Sequence, residues 1–216
     1  MTDTSRLAVN ELFYSLQGEG DYAGTPMVFI RFAGCNLACE WCDQPDTIHE
    51  GFVDRLGQRW SLMFKRRSVQ DVVLEVQKYP TSYVCLTGGE PTAHKLGELI
   101  GELHKFKKHV HMESNGTLEP SWLAGVDHLV VSPKRGHRVW PSARRHAQEL
   151  KFIVDEDFEI EEAEIYRDVF SGNIYLQPAN ARTELDPVML KKALDLVREY
   201  PRYRLSVQLH KVLGVR

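Results

Sequence analysis

Short apolar runs recur along the chain, each about the length of one β-strand: Met27 to Phe32, Tyr83 to Thr87, Val110 to Ser114, His128 to Ser132, Leu150 to Val154, Ile174 to Gln177 and Tyr203 to Gln208. Most are rich in β-formers, which predicts strands. Between several of them, three stretches carry apolar residues at helical spacing: Val69, Val72, Val73 and Val76; Leu96, Leu99, Ile100 and Leu103; Leu190, Ala193, Leu194 and Val197. Each marks one buried helical face. Strands alternating with helices imply right-handed crossovers and a largely parallel sheet, either open and doubly wound or closed into a full or partial barrel.

The polar residues choose between these options. Thr87-Gly88-Gly89-Glu90, Ser114-Asn115-Gly116, Ser132-Pro133-Lys134, Gln177-Pro178-Ala179-Asn180 and His210-Lys211 each follow the C-terminal end of an apolar run, and so does a group of cysteines. Ligand-type groups on that many strand ends describe the active rim of a barrel, whereas an open sheet concentrates its site at one switch point. The expected fold class is therefore α/β, a partial TIM-like barrel. Residues 48–67 fit neither period and are expected to form an irregular insertion beside the cysteines, with Lys65-Arg66-Arg67 as a solvated edge.

The chain has 216 residues, the size of one domain, and no repeat or linker divides it. With 43% hydrophobic and 26% charged residues, 15 Gly and 10 Pro, disorder, collagen and coiled coil are excluded. Lys and Arg number 27 against 30 Asp and Glu, a formal charge of -3, so neither nucleic acid nor an anionic membrane is an expected partner. No apolar run approaches the ~20 residues of a membrane span. The opening Met1-Thr2-Asp3-Thr4-Ser5-Arg6 lacks the apolar core of a signal peptide, and a cytoplasmic location is expected.

Three of the 4 cysteines, Cys35, Cys39 and Cys42, have the spacing C-x3-C-x2-C. In a reducing compartment such crowding reads as metal ligation rather than a disulfide framework. Three thiolates on one loop can bind three irons of a cubane cluster and leave the fourth iron open to a ligand. The same thiols completed by His49 would make a Cys3His zinc site, and the spacing leaves both open. A four-cysteine electron-transfer cluster fits less well, because Cys85 stands alone among Tyr83, Val84 and Leu86 and reads as a small buried hydrophobe. His104, His109, His111, His128, His137 and His146 show no ligand spacing.

The C-x3-C-x2-C loop after a strand, with Thr87-Gly88-Gly89-Glu90-Pro91, resembles the radical S-adenosylmethionine enzymes. Leu16-Gln17-Gly18-Glu19-Gly20, Arg31-Phe32-Ala33-Gly34-Cys35, Glu113-Ser114-Asn115-Gly116-Thr117, Val131-Ser132-Pro133-Lys134 and Leu205-Ser206-Val207-Gln208-Leu209-His210-Lys211 sharpen the resemblance to the 7-carboxy-7-deazaguanine synthase family, over nearly the whole chain. The first and last of these blocks separate that family from the glycyl-radical activases, which share the cysteine spacing. A zinc-stabilised binding module is the rival of another class.

The resemblance implies a 4Fe-4S cluster on Cys35, Cys39 and Cys42, and S-adenosylmethionine whose cleavage gives a 5'-deoxyadenosyl radical. The radical abstracts hydrogen from C6 of 6-carboxy-5,6,7,8-tetrahydropterin, and ring contraction with loss of ammonia gives 7-carboxy-7-deazaguanine for queuosine or other deazapurine pathways. It places Gly89, Ser132, Pro133, Lys134, Gln177, Pro178, Ala179 and Asn180 around S-adenosylmethionine. Leu16, Gln17, Gly18, Glu19, Arg31, Thr87, Glu113 and His210 would surround the pterin, and no further catalytic residue is singled out. A carboxylate, Glu19 or Glu113, suits the N–H edge of the pterin, and Arg31 suits its carboxylate. Read without the family, Glu19 is equally a turn residue, Arg31 a salt-bridged strand residue and His210 a surface imidazole. The resemblance also implies a flavodoxin-like reductant and a homodimer.

Two positions depart from the family pattern. Where the family has Ser or Thr after the Cys-Asp of the cluster loop, contributing to a magnesium site, this chain has Gln44. Either Gln44 ligates through its amide, or Thr47 substitutes three residues on, or magnesium is dispensable and the amide bonds the substrate carboxylate directly. Weakened magnesium dependence is expected. The tail reads Leu213-Gly214-Val215-Arg216 in place of the family's Leu-Asn-Ile-Pro.

Overall fold

Largely parallel strands linked by amphipathic helices form the fold, and a computed structural model describes residues 6–180 and 184–215. Residues 1–5, on which the signal-peptide expectation rests, and Arg216 of the tail lie outside the described residues. The chain forms two units, one from residues 1–15, 26–114 and 120–128, the other from 16–25, 115–119 and 129–216.

The first unit contains β1 (Leu7–Leu16, whose last residue falls in the second unit), β2 (Pro26–Phe32), β3 (Phe52–Val53), β4 (Arg59–Trp60), β5 (Lys65–Arg67), α1 (Val69–Val76), β6 (Tyr83–Gly88), α2 (Gly97–Lys105) and β7 (His109–Ser114). Its strand order is β5-β1-β2-β6-β7. β6 pairs in parallel with β2 and β7, and β5 pairs antiparallel with β1. The predicted faces of α1 and α2 are buried in full. Ser68 starts α1 by accepting from the Asp71 N–H at 3.1 Å while the Asp71 carboxylate accepts from the Ser68 N–H at 3.3 Å, a reciprocal cap of about 1 kcal/mol. Residues 48–67 carry the antiparallel pair β3-β4 followed by β5, in which Lys65 and Arg66 are exposed.

The second unit takes over after the first residue of β8 (His128–Val131) and continues with α3 (Pro141–His146), β9 (Ala147–Val154), α4 (Glu161–Glu164), β10 (Asn173–Pro178), α5 (Pro187–Glu199), β11 (Arg204–Leu205) and α6 (Leu209–Leu213). Its strands lie in the order β8-β9-β10-β11, all parallel. Asp186 caps α5 by accepting from the N–H groups of Val188 and Met189 at 2.8 and 3.1 Å. The buried residues of α5 are Met189 and Ala193, so its face is turned slightly from the predicted one, and Leu190, Leu194 and Val197 are half-buried. Within each unit, parallel pairing sends the C-terminal ends of β2, β6 and β7, or of β8 to β11, to one edge. The polar residues singled out above stand on those strand ends, in the loops that follow them or, for His210 and Lys211, in α6. No helix among the described residues is long and apolar enough to cross a membrane.

Candidate active site

The cysteine loop follows β2. Gly34 opens it at φ 104°, a conformation glycine adopts without a Cβ penalty. Its N–H donates to the Thr47 carbonyl at 2.7 Å and that of Cys35 to the Ile48 carbonyl at 3.1 Å, so the start and end of the loop are tied together. Inside it the Cys42 N–H donates to the Cys39 carbonyl at 3.0 Å, and the Leu37 N–H points to Cys35 Sγ at 3.4 Å. All three thiols are half-buried. Burial, then the neighbouring Asp43 charge, push the Cys42 thiol up to about 12, with Cys39 and Cys35 adding to the rise. A bare loop therefore holds a proton on Cys42, and cationic iron would replace it. Three thiols sharing one loop and one electrostatic environment fit a cluster as donor set. Cys85 is fully buried in β6 and apart from this loop in sequence, as expected. His49 is exposed, with Nδ1 3.2 Å from the Glu50 carbonyl.

The glycine-rich turn after β6 packs on this loop. A Cβ on Gly89 would enter the Gly34 carbonyl and approach that of Thr47, so the missing side chain is needed for backbone packing before any ligand is considered. The Gly89 N–H donates to the Phe32 carbonyl and the Glu90 N–H to the Gly34 carbonyl, both at 2.9 Å. Glu90 itself is 1% exposed. Its Oε1 accepts from the Thr92 N–H at 2.9 Å, the Thr92 hydroxyl at 2.5 Å and the Ser114 hydroxyl at 2.8 Å. Thr47 is fully buried, and its hydroxyl donates to the Gln44 carbonyl at 2.7 Å within the short turn Pro45–Thr47. Gln44 is half-buried.

Three residues expected at the pterin stand on adjacent strands of the first unit. Arg31 on β2 lies in register with Thr87 on β6, and the Thr87 hydroxyl donates to the Glu113 carboxylate on β7 at 3.1 Å. Arg31 gives its Nε to Glu11 at 2.8 Å, with the guanidinium 5.7 Å from the Phe13 ring centre. The salt-bridged strand residue and the candidate ligand are thus the same side chain. The donor atoms of Glu113, Cys85 and His111 also come within 4.8 Å of one another, and His111 stacks on His128 with centroids 5.1 Å apart. Spacing gave no sign of this group, because it arises from the register of Cys85 opposite His111.

The remaining expected residues belong to the second unit. Gln17 is buried and tied to the following turn through Gln17 N–H to Thr25 carbonyl at 2.8 Å and Gly24 N–H to Gln17 carbonyl at 2.7 Å, just after Leu16. Gly18 meets His210: the Leu209 N–H donates to the Gly18 carbonyl at 2.9 Å, and a Cβ on Gly18 would enter the imidazole. Glu19 pairs with the Lys151 ammonium and accepts from Gln208 Nε2 at 2.8 Å. After β8, Lys134 Nζ donates to the Ser132 hydroxyl at 2.6 Å across Pro133. At the end of β10, Gln177 Oε1 accepts from Ser206 at 2.8 Å, buried Pro178 follows, the Ala179 N–H donates to the Val154 carbonyl at 2.8 Å, and Asn180 Nδ2 donates to Gln208 Oε1 at 3.0 Å. Glu90, Lys151 and Gln208 were not expected as functional residues. The available signals were the Glu of the Gly-Gly-Glu turn, a lysine inside an apolar strand, and a glutamine two residues before His210.

The model of the Radical SAM superfamily matches residues 29–149, more than half of the chain. The 7-carboxy-7-deazaguanine synthase of Aquifex aeolicus is 34% identical over 224 residues, spanning 100% of this chain and 96% of that protein. The chain belongs to the 7-carboxy-7-deazaguanine synthase family. A second member of this synthase family, from Bacteroides thetaiotaomicron, is 36% identical over 96% of this chain and 98% of its own length. The crystal structure of QueE from Escherichia coli superposes with a TM-score of 0.77 at 30% identity, covering 95% of each chain. The fold class is accordingly that of the radical S-adenosylmethionine synthases, α/β with an unclosed parallel sheet, as the strand-end polar residues implied. As a 7-carboxy-7-deazaguanine synthase family member the chain is a radical S-adenosylmethionine enzyme, with a 4Fe-4S cluster and S-adenosylmethionine as its cofactors.

Proposed function

We propose that the chain converts 6-carboxy-5,6,7,8-tetrahydropterin to 7-carboxy-7-deazaguanine with loss of ammonia, as a step in queuosine or another deazapurine pathway. The observation that carries this is the contact of Gly18 with His210, because it joins the two sequence blocks that set this family apart from other small radical enzymes. A cluster on Cys35, Cys39 and Cys42 supplies, with S-adenosylmethionine, the one-electron cleavage that starts the chemistry. The chain's own residues bind and orient. Gly89, Ser132 to Lys134 and Gln177 to Asn180 hold S-adenosylmethionine, with the Lys134 ammonium directed at a carboxylate or ribose hydroxyl. Leu16 to Gly18, Thr87 and His210 flank the pterin. Glu19 and Glu113 accept from its N–H edge, and Arg31, whose Nε stays on Glu11, offers its two terminal nitrogens to the substrate carboxylate.

Magnesium is dispensable in this reading. Thr47 is fully buried, with its hydroxyl proton held by the Gln44 carbonyl, and Gln44 offers a neutral amide where a hydroxyl ligand is the family pattern. The reading takes residues 1–216 as one catalytic domain with 48–67 as its insertion, a homodimer in the cytoplasm, reduced by a flavodoxin-like protein.

The test is anaerobic reconstitution followed by iron and sulfide analysis and turnover of the tetrahydropterin, scoring product and ammonia. A colourless protein with one zinc per chain would overturn the whole reading. Deoxyadenosine without product would overturn the substrate alone.

A further inference from the structure

Glu19 is anchored by two buried side chains that have no role in the reading above. Lys151, at the middle of β9, is 8% exposed and pairs with Oε2, while Gln208, 6% exposed, donates from Nε2 to Oε1 at 2.8 Å. The orientation of the Gln208 amide is itself determined. Its Oε1 accepts from Asn180 Nδ2 at 3.0 Å, and Asn180 Oδ1 accepts from the Asp186 N–H at 2.9 Å, so the Gln208 nitrogen must face Glu19.

From this geometry we infer that Lys151 and Gln208 are positioning residues that set Glu19 as a two-pronged acceptor, and that they thereby select a pterin-type 2-amino-4-oxo edge. The inference rests on the proposed role of Glu19 at the pterin. Each carboxylate oxygen offers two lone-pair directions. One on each is taken by a fixed donor, which leaves one on each for a ligand that brings two adjacent donors, a ring N–H and its neighbouring amino group. A 2-oxo analogue presents an acceptor to one of those oxygens, and a site built around that hydrogen bond rejects it. The ammonium has a second effect. A neutral edge docked on a buried, unpaired carboxylate leaves its charge uncompensated, and Lys151 supplies the counter-charge within the same unit. Through Asn180 the chain of hydrogen bonds also reaches the segment proposed to hold S-adenosylmethionine.

The test measures binding of 6-carboxypterin and of 6-carboxylumazine, its 2-oxo counterpart, to the full chain with and without reconstituted cluster, by ligand fluorescence. The parent should prefer the pterin by about tenfold or more, and Gln208→Leu and Lys151→Met should each erase most of that preference. Lys151→Arg, which keeps the charge, should retain more of it than Lys151→Met. Gln208→Leu unpairs no charge, so it stands as the folded test if Lys151→Met does not fold. The double variant Glu19→Gln with Lys151→Met removes both charges and should recover the melting temperature without recovering the preference. Folded variants that keep the parent's preference would overturn the inference. A parent that binds no 6-carboxypterin would instead overturn the reading on which it rests.

Discussion

Ser114 donates its hydroxyl to the Glu90 carboxylate at 2.8 Å, tying the end of β7 to the glycine-rich turn after β6. The same oxygen of Glu90 holds Thr92 by two further bonds, so three donors converge on one buried acceptor.

Glu90→Ala should destabilise the protein by on the order of 3 kcal/mol, because several buried donors lose their acceptor together. Glu90→Gln keeps a carbonyl at that position and should lose about 1 kcal/mol. Thermal unfolding of the cluster-free protein checks this, and equal losses in the two variants would show that the three bonds contribute nothing.

Gly89→Ala drives a methyl group into the Gly34 carbonyl. The expected cost is about 1–3 kcal/mol of strain, borne where the cysteine loop begins. Iron retained after reconstitution should fall together with stability. Full iron loading with unchanged melting would mean that the turn and the loop give way freely.

Replacing Cys35, Cys39 or Cys42 by Ala should abolish iron binding and deoxyadenosine production, since two thiolates do not retain the open-iron cubane. Cys85→Ala removes one sulfur from a fully buried position and should cost about 1 kcal/mol while keeping both properties. Iron analysis is decisive, and a fully loaded Cys39→Ala protein would contradict the assignment.

Arg31→Ala and Glu19→Gln should each raise the ratio of deoxyadenosine to product, losing on the order of 2 kcal/mol or more of transition-state binding for the pterin. Their stabilities should differ in cause: Arg31→Ala removes an ion pair from the half-buried Glu11, and Glu19→Gln removes one from the buried Lys151. Coupling ratios at the parent's value in both variants would remove these residues from the substrate side.

Steady-state turnover by the parent should be nearly the same with magnesium and with a chelator. Gln44→Thr should gain magnesium dependence, because a short hydroxyl meets near-octahedral geometry at about 2.1 Å more readily than a long amide stem. Strict dependence in the parent would make Gln44 or Thr47 a ligand.

The runs of β-formers located β2, β6, β7, β8, β9 and β10 because each is buried enough to read as apolar. β1 escaped notice. Only Leu7 to Val9 are buried, and Asn10 and Glu11 break the apolar pattern before Leu12, Phe13 and Tyr14 resume it. The run from Tyr203 to Gln208 yields only the two residues of β11, and Ser206 and Gln208 beyond it give their side chains to Gln177 and Glu19. The cysteine loop was legible because its donors are near neighbours in sequence. The anchors of Glu19 were not: Lys151 lies 132 residues away and Gln208 lies 189, and no local period connects them.

At the outer flank of the first unit, β5 carries exposed Lys65 and Arg66 and, among the described residues, pairs on one side only, with β1. A strand with an unpaired rim of N–H and C=O groups is a template for another chain, and two adjacent cations repel an approaching strand that bears the same pair. The basic stretch thus has a use that requires no ligand: it discourages copies of the protein from stacking edge to edge.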